Sequence, residues 1–173
     1  LGRISVKKGV RIVNEVSKIL TPKYPNIEFQ LLGKIYEDEE GHVSKKELSN
    51  WEKESNIKYL GTSKDVRNEI GQADCIIFPS FYREGVPKSL IEAAAMEKPI
   101  LTTDNVGCRD IVKDGYNGYL AKPNDIESMV RIVEKFLSLT TEERNALGEN
   151  GRKKVIEEFD EKIVINKYLN EII

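Results

Sequence analysis

Two glutamates, Glu84 and Glu92, stand eight positions apart in the stretch Pro79-Ser80-Phe81-Tyr82-Arg83-Glu84-Gly85-Val86-Pro87-Lys88-Ser89-Leu90-Ile91-Glu92. Carboxylates suit sugar hydroxyls, because an ionised acid accepts hydrogen bonds from vicinal O–H groups. Pro87 fits the first turn of a helix, where its missing N–H costs nothing, so the amides of Lys88, Ser89 and Leu90 are expected to point out of the helix start. Exposed amides at the positive end of a helix dipole make a site for a phosphate. Glu84 then lies in the loop before the helix and Glu92 about a turn and a half inside it, flanking one pocket at different depths. Near the other end of the sequence, Gly2-Arg3 and Lys7-Lys8-Gly9 offer the complementary charge. Arg3 and Lys8 are the natural counter-ions for a diphosphate, each charge-assisted contact contributing roughly 1.5–3 kcal/mol.

Other chemistries lack raw material. The single histidine, His42, sits in a polar stretch, so histidine metal cages and Ser-His-Asp arrangements are set aside and no metal is expected. Cys75 lies in an apolar run and Cys108 follows a glycine; two cysteines so placed have neither the number nor the spacing of a disulfide framework or zinc site, and a reducing cytosol fits them. With 39% apolar and 32% charged residues the composition is that of a soluble globular protein. A formal net charge of −2, with both signs interspersed, lacks the field that draws proteins to nucleic acid. At 173 residues one compact domain is expected, and a start at Leu1 with no charged-then-apolar leader suggests an excised domain.

The elements that must position these residues follow from periodicity. Leu1 to Ile4 is a short β-compatible run, and Val10, Val13, Val16 and Leu20, with Ile12 and Ile19 beside them, fall at helical spacing before Thr21-Pro22. Further strands are predicted over Ile27 to Leu32, Ile57 to Leu60, Cys75 to Phe78, Pro99 to Thr102 and Tyr119 to Leu120. Helices are predicted over Ser44 to Ser55, Val66 to Gly71, Pro87 to Met96, near Asp110, and in a tail over Asp125 to Ser138, Thr141 to Glu158 and Asp160 to Ile173. Short apolar strands alternating with helices imply an α/β fold: a Rossmann-like parallel sheet flanked by helices, with a helical C-terminal tail. Ligands in such a sheet bind beyond the carboxyl ends of the strands, here the loops after Ile4, Gly33, Phe78 and Thr102.

Several residues also carry blander readings. Two glutamates eight apart are common in any charged helix, and the pair gains weight only from the apolar strand and Pro87 around it. Arg3 and Lys8 alone read as solvated surface, and only the later motif makes the functional reading equally good. Ser80 reads as a turn or cap after Pro79 at least as well as a ligand contact. Cys75 reads as core filling, and Cys108 either faces the cleft or is a small residue before a short helix. Trp51, His42 and the run Glu37-Asp38-Glu39-Glu40 read as a helix face and a solvated loop that could approach a nucleobase.

The sequence resembles the retaining GT-B glycosyltransferases of the large group 1 (family 4) type, over nearly its whole length. The family's pair of glutamates separated by seven residues matches Glu84 and Glu92, and its early Gly-Arg and Lys-Gly pairs match Gly2-Arg3 and Lys8-Gly9. Pro79-Ser80, Glu92-Ala93, Lys98-Pro99-Ile100 and Asp114-Gly115-Tyr116-Asn117-Gly118 also look like the family's wording. The resemblance implies the C-terminal, donor-binding half of a GT-B fold, with the acceptor domain at the N-terminal side. It implies that Arg3 and Lys8 hold the donor diphosphate, that Glu84 contacts the transferred sugar without forming a covalent intermediate, and that Glu92 binds the ribose hydroxyls. By the same resemblance Gly2, Gly85, Val86, Lys88, Ser89 and Leu90 are expected to line the donor.

The Tyr-Arg-Glu-Gly-Val-Pro wording is closest to bacterial capsular and lipid-linked glycan transferases. It implies a cytoplasmic enzyme, peripheral to the inner membrane face, that needs no cofactor. The donor is expected to be a UDP-sugar, with GDP- or ADP-sugars as alternatives, and the acceptor a glycan or lipid-linked sugar. The competing readings are a non-catalytic nucleotide-sugar-binding module, a GT-B nucleotide-sugar epimerase and a receiver-like signalling domain. One histidine speaks against the epimerase. Arg3, Lys7 and Lys8, where a receiver needs clustered acids, speak against the last.

Overall fold

The computed structural model describes residues 1–36, 41–163, 165 and 169, so the run Glu37-Asp38-Glu39-Glu40 and much of the helix expected over Asp160 to Ile173 lie outside the described residues. Helix α1 (Val10–Leu20) turns Val10, Val13, Val16 and Leu20 into the core, as the spacing predicts, while Ile19 is exposed. Strands β1 (Phe29–Leu31) and β2 (Ile57–Tyr59) pair in parallel, Phe29 opposite Ile57. Helix α2 (Lys45–Glu54) connects them, started by Ser44, whose side chain accepts the Glu47 amide at 3.1 Å. Trp51 is buried on the inner face of α2, in the core.

After α3 (Arg67–Gln72) come β3 (Ile76–Phe78), α4 (Lys88–Ala95), β4 (Ile100–Thr103), α5 (Cys108–Ile111), β5 (Gly118–Ala121), α6 (Ile126–Leu137) and α7 (Thr141–Phe159). β3, β4 and β5 form a second sheet, also parallel, with β4 in the middle. All four residues of β4 are buried, because Leu101 faces a core built with α1 and α6 while Ile100 faces another built with α4, α5 and α7. Covering both faces is why these strands read as continuous apolar runs. The result is the expected Rossmann-like layering with helices on both sides. No helix among the described residues is long and apolar enough to cross a membrane.

The predicted opening strand does not form, and the predicted single sheet is two. Gly2 sits at φ +114°, outside the extended region, so Leu1 to Ile4 achieves one parallel bridge, Ile4 to Ile35, with the Gly2 and Ile4 amides donating to the Leu32 and Lys34 carbonyls at 2.9 and 3.0 Å. Between the two sheets lies a cavity of about 370 Å³ whose walls include Val10, Val13, Phe29, Leu31, Ile76 and Phe78.

The turn in Asp114-Gly115-Tyr116-Asn117-Gly118 has a structural explanation. Asn117 is wholly buried; its amide donates to the Ile111 carbonyl at 2.9 Å and its oxygen accepts from the Lys113 amide at 2.8 Å. It thereby closes the end of α5 and delivers the chain into β5. Asn117→Ala leaves the Ile111 carbonyl buried and unpaired and frees the part-buried Lys113 amide, so urea unfolding should show a loss of about 1–3 kcal/mol, the cost of one such buried group. A loss under about 0.5 kcal/mol, typical of a neutral surface change, would show that water replaces the side chain.

Candidate functional site

The site begins with a tight start to α1. Val6–Lys8 forms a single 3-10 turn closed by Gly9 at φ +77°, a left-handed conformation that favours glycine. Glycine is required for a second reason: a side chain here would overlap the Pro79 carbonyl. The two loops are joined directly, because the Phe81 amide and the Ser80 hydroxyl each donate to the Lys7 carbonyl at 3.3 Å. Lys7 lies over the Tyr82 ring at 5.2 Å and Lys8 over the Phe78 ring at 5.3 Å.

This docking carries Lys8 onto Glu84. Their side chains form an ion pair with only 16% and 24% of their surfaces exposed, and the Ser80 hydroxyl lies 3.5 Å from the same Glu84 oxygen. Loops following the first segment and β3 therefore bring together a cation and an acid that are far apart in sequence, as their residue types led us to expect. Ser80 is fully buried, and its role is to clamp the loops. Arg3 is exposed and shares with Lys8 the rim of the inter-sheet cavity, while Gly2 packs against Gly33.

The start of α4 differs from expectation by one residue, with consequences. Pro87, at φ −68° and ψ 121°, precedes the helix rather than opening it, and no side chain caps the end. Its carbonyl accepts the Leu90 amide at 2.9 Å, and Leu90 itself is fully buried, so the Leu90 amide is not part of an outward-pointing row. Among the described residues no acceptor meets the amides of Gly85, Val86, Lys88 or Ser89. Glu92 is partly exposed and lies 3.8 Å from the Lys88 ammonium one turn earlier, a weak surface pair.

The floor of the site is β4 and the loop leading to α5. The sequence marked this loop as a place to search but singled out only Cys108 there. Cys108 is buried near Glu84 and Lys8, and burial pushes its thiol up. Its place is the floor, not the open cleft. Thr103 and Asn105, also buried, went unnamed because a threonine ending a strand and an asparagine before a glycine read as ordinary loop residues. Among the described residues no cluster of three or more His, Cys, Asp or Glu is placed to hold a metal.

The sequence profile of the glycosyl transferases group 1 matches residues 1–154. The chain belongs to this family. The capsular polysaccharide biosynthesis glycosyltransferase CapM of Staphylococcus aureus is 26% identical over 164 residues, covering 95% of this chain and 42% of that protein. An uncharacterized glycosyltransferase of Methanocaldococcus jannaschii is 33% identical over 162 residues, covering 88% of this chain and 41% of that protein. The crystal structure of HepE from Anabaena in complex with UDP superposes with a TM-score of 0.83 over 99% of this chain and 47% of that one; at 21% identity it shows the shared fold. The chain thus spans less than half the length of these relatives. In this group 1 glycosyltransferase sequence, the matched span holds every candidate site residue and ends within α7.

Gly9 is the position at which the site can be tested without touching a charge. Gly9→Ala combines a left-handed backbone with a backbone clash, so urea denaturation should show a loss of at least about 1–3 kcal/mol. Wild-type stability would mean that the Lys8 and Pro79 loops are free to separate.

Proposed function

We propose that this chain is the nucleotide-sugar-binding half of a GT-B glycosyltransferase that moves a hexosyl group, with retention of anomeric configuration and without a metal, onto a glycan or lipid-linked acceptor. The observation that carries this reading is the meeting of Lys8 and Glu84 beside an uncapped helix start. A cation and free amides suit a departing diphosphate, and a carboxylate next to them suits the hydroxyls of the sugar that stays. Fixed donors aimed where negative charge builds up are the largest single contribution available to such a reaction.

In this reading Lys8, with Arg3 at the rim, and the amides of Gly85, Val86, Lys88 and Ser89 receive the diphosphate. Gly2 gives the backbone close approach. Glu84 orients the transferred sugar, and Glu92 accepts from the ribose hydroxyls, exchanging its weak pairing with Lys88 for them. Leu90 contributes packing alone. The acceptor hydroxyl attacks on the face that the diphosphate leaves. The group that positions it belongs to a further, N-terminal domain of the intact enzyme. UDP is the favoured nucleotide, since the similar folds of HepE and of a variant of S. aureus TarM hold UDP, the latter together with alpha-GlcNAc-glycerol. Similarity to CapM supports an acceptor in capsular or related polysaccharide synthesis. A lipid-linked acceptor would bring the intact enzyme to the cytoplasmic face of the membrane.

Calorimetric titration of this chain with UDP, GDP and ADP in EDTA tests the reading. One nucleotide should bind in the millimolar to micromolar range, about −4 to −8 kcal/mol, and keep its affinity when magnesium or manganese is added. A strict manganese requirement would contradict the proposal. Glu92→Ala should weaken nucleotide binding by about 1–3 kcal/mol, and unchanged affinity removes Glu92 from the donor site. In the intact enzyme, Glu84→Gln should lower turnover more than nucleotide affinity; equal losses of UDP and UDP-sugar binding would refute that split.

A further inference from the structure

The segment that carries Glu84, from Pro79 to Pro87, has no regular secondary structure, yet alternate carbonyls at its start meet side-chain donors. The Phe78 carbonyl accepts from the Thr102 hydroxyl at 2.6 Å, the Ser80 carbonyl from the Thr103 hydroxyl, and the Tyr82 carbonyl from the Asn105 side-chain amide at 2.8 Å. At the next step, Gly107 takes a left-handed φ of +81° and packs so closely that a Cβ there would stand 2.8 Å from the Glu84 carbonyl, nearer still to that of Gly85. The backbone ladder between β3 and β4 ends at Phe78 opposite Thr102. Side chains at the end of β4 and just after it continue it for four more residues, to Tyr82, replacing strand amides with hydroxyls and an amide group, and Gly107 then packs bare backbone against Glu84 and Gly85.

These groups are otherwise hard to account for. Thr102, Thr103 and Asn105 are all buried, with 0%, 1% and 7% of their surfaces exposed. A polar side chain in that position costs free energy unless it is hydrogen-bonded, so its partners indicate what it is for. Asn105 is held on every side: its oxygen accepts the Val106 amide at 2.9 Å, its own amide donates to the Thr103 carbonyl at 2.7 Å, and its carbonyl accepts the Arg109 amide at 3.0 Å. A rigid template therefore faces an irregular loop.

We infer that Thr103, Asn105 and Gly107 are positioning residues that act through Glu84: they fix the path of its loop, and so the depth at which its carboxylate meets Lys8 and the sugar it is proposed to orient. The last clause rests on the donor-site reading; the placement of Glu84 against Lys8 does not. Thr103 sets the loop at Ser80, whose hydroxyl also lies against Glu84. Asn105 sets it two residues before Glu84, and Gly107 limits how far Glu84 and Gly85 can sink. Thr103 carries the cleanest variant, since valine keeps its shape and loses only the hydroxyl, whereas serine keeps the hydroxyl.

The test is the carboxyl carbon NMR signal of Glu84 in the folded chain, with Lys8→Met supplying the value for an unpaired Glu84. Thr103→Val and Asn105→Ala should move the signal more than half-way to the Lys8→Met value, while Thr103→Ser stays near wild type. Gly107→Ala, which removes no hydrogen bond, should also shift it and keeps the test available if Asn105→Ala unfolds. Wild-type Glu84 signals in folded Thr103→Val and Gly107→Ala would overturn the inference. Parallel titrations of wild type and Glu84→Gln with UDP and UDP-glucose separate the two claims. If Glu84→Gln matches wild type for both ligands, the donor-site reading of Glu84 fails while the NMR result still decides the template. If Glu84→Gln loses the extra affinity for UDP-glucose, Thr103→Val should lose it too, with UDP affinity retained.

Discussion

Lys8 and Glu84 belong to loops separated by seventy-six positions, and their ion pair closes the space between two parts of the molecule that share no strand pairing. Both side chains are mostly withdrawn from water, where leaving either without the other is far more costly than breaking an exposed pair. Each surrounding oddity serves that meeting. Gly9 is left-handed and bare so that α1 can begin against Pro79, and Ser80 and Phe81 both donate to one carbonyl of the opening loop. Charge already balanced in this way also constrains the proposed donor. A diphosphate must share or displace Glu84 at Lys8, so its remaining charge falls on Arg3 and on the backbone amides before α4.

The irregular loop is possible because its surroundings are regular. β4 is buried on both faces and its last two residues are threonines whose hydroxyls bond to carbonyls of the neighbouring segment. Placing polar groups at the carboxyl end of the most buried strand converts a rigid sheet into a rigid loop. The same logic recurs at Asn117, which ties the end of α5 to the start of β5. In both places a short polar side chain does what a backbone ladder does elsewhere, and does it where the chain must turn away to leave room for a ligand.

Most of this architecture is legible in the residues. The apolar spacing of α1, the predicted helix starts at Ser44, Asp125 and Thr141, and the apolar runs of β3 and β4 place those elements within a residue or two of where they form. The pairing of a basic opening loop with Glu84 was legible because both lie in loops expected at the carboxyl ends of parallel strands, where such loops gather around a ligand. The opening strand was not, because Gly2 breaks it through a backbone angle that composition does not reveal. Leu90 is captured because a tight first turn bonds its amide to the Pro87 carbonyl three residues back, a detail that helix spacing alone does not reveal. Thr103, Asn105 and Gly107 escaped notice because their work is done on backbone carbonyls, which carry no sequence signal.

The most direct test of the account is a crystal structure of this chain with UDP. The account predicts the diphosphate seated between the Lys8 ammonium and the amides of Lys88 and Ser89, with the ribose hydroxyls on Glu92. UDP bound away from Lys8, for instance on the far side of α4, would contradict it.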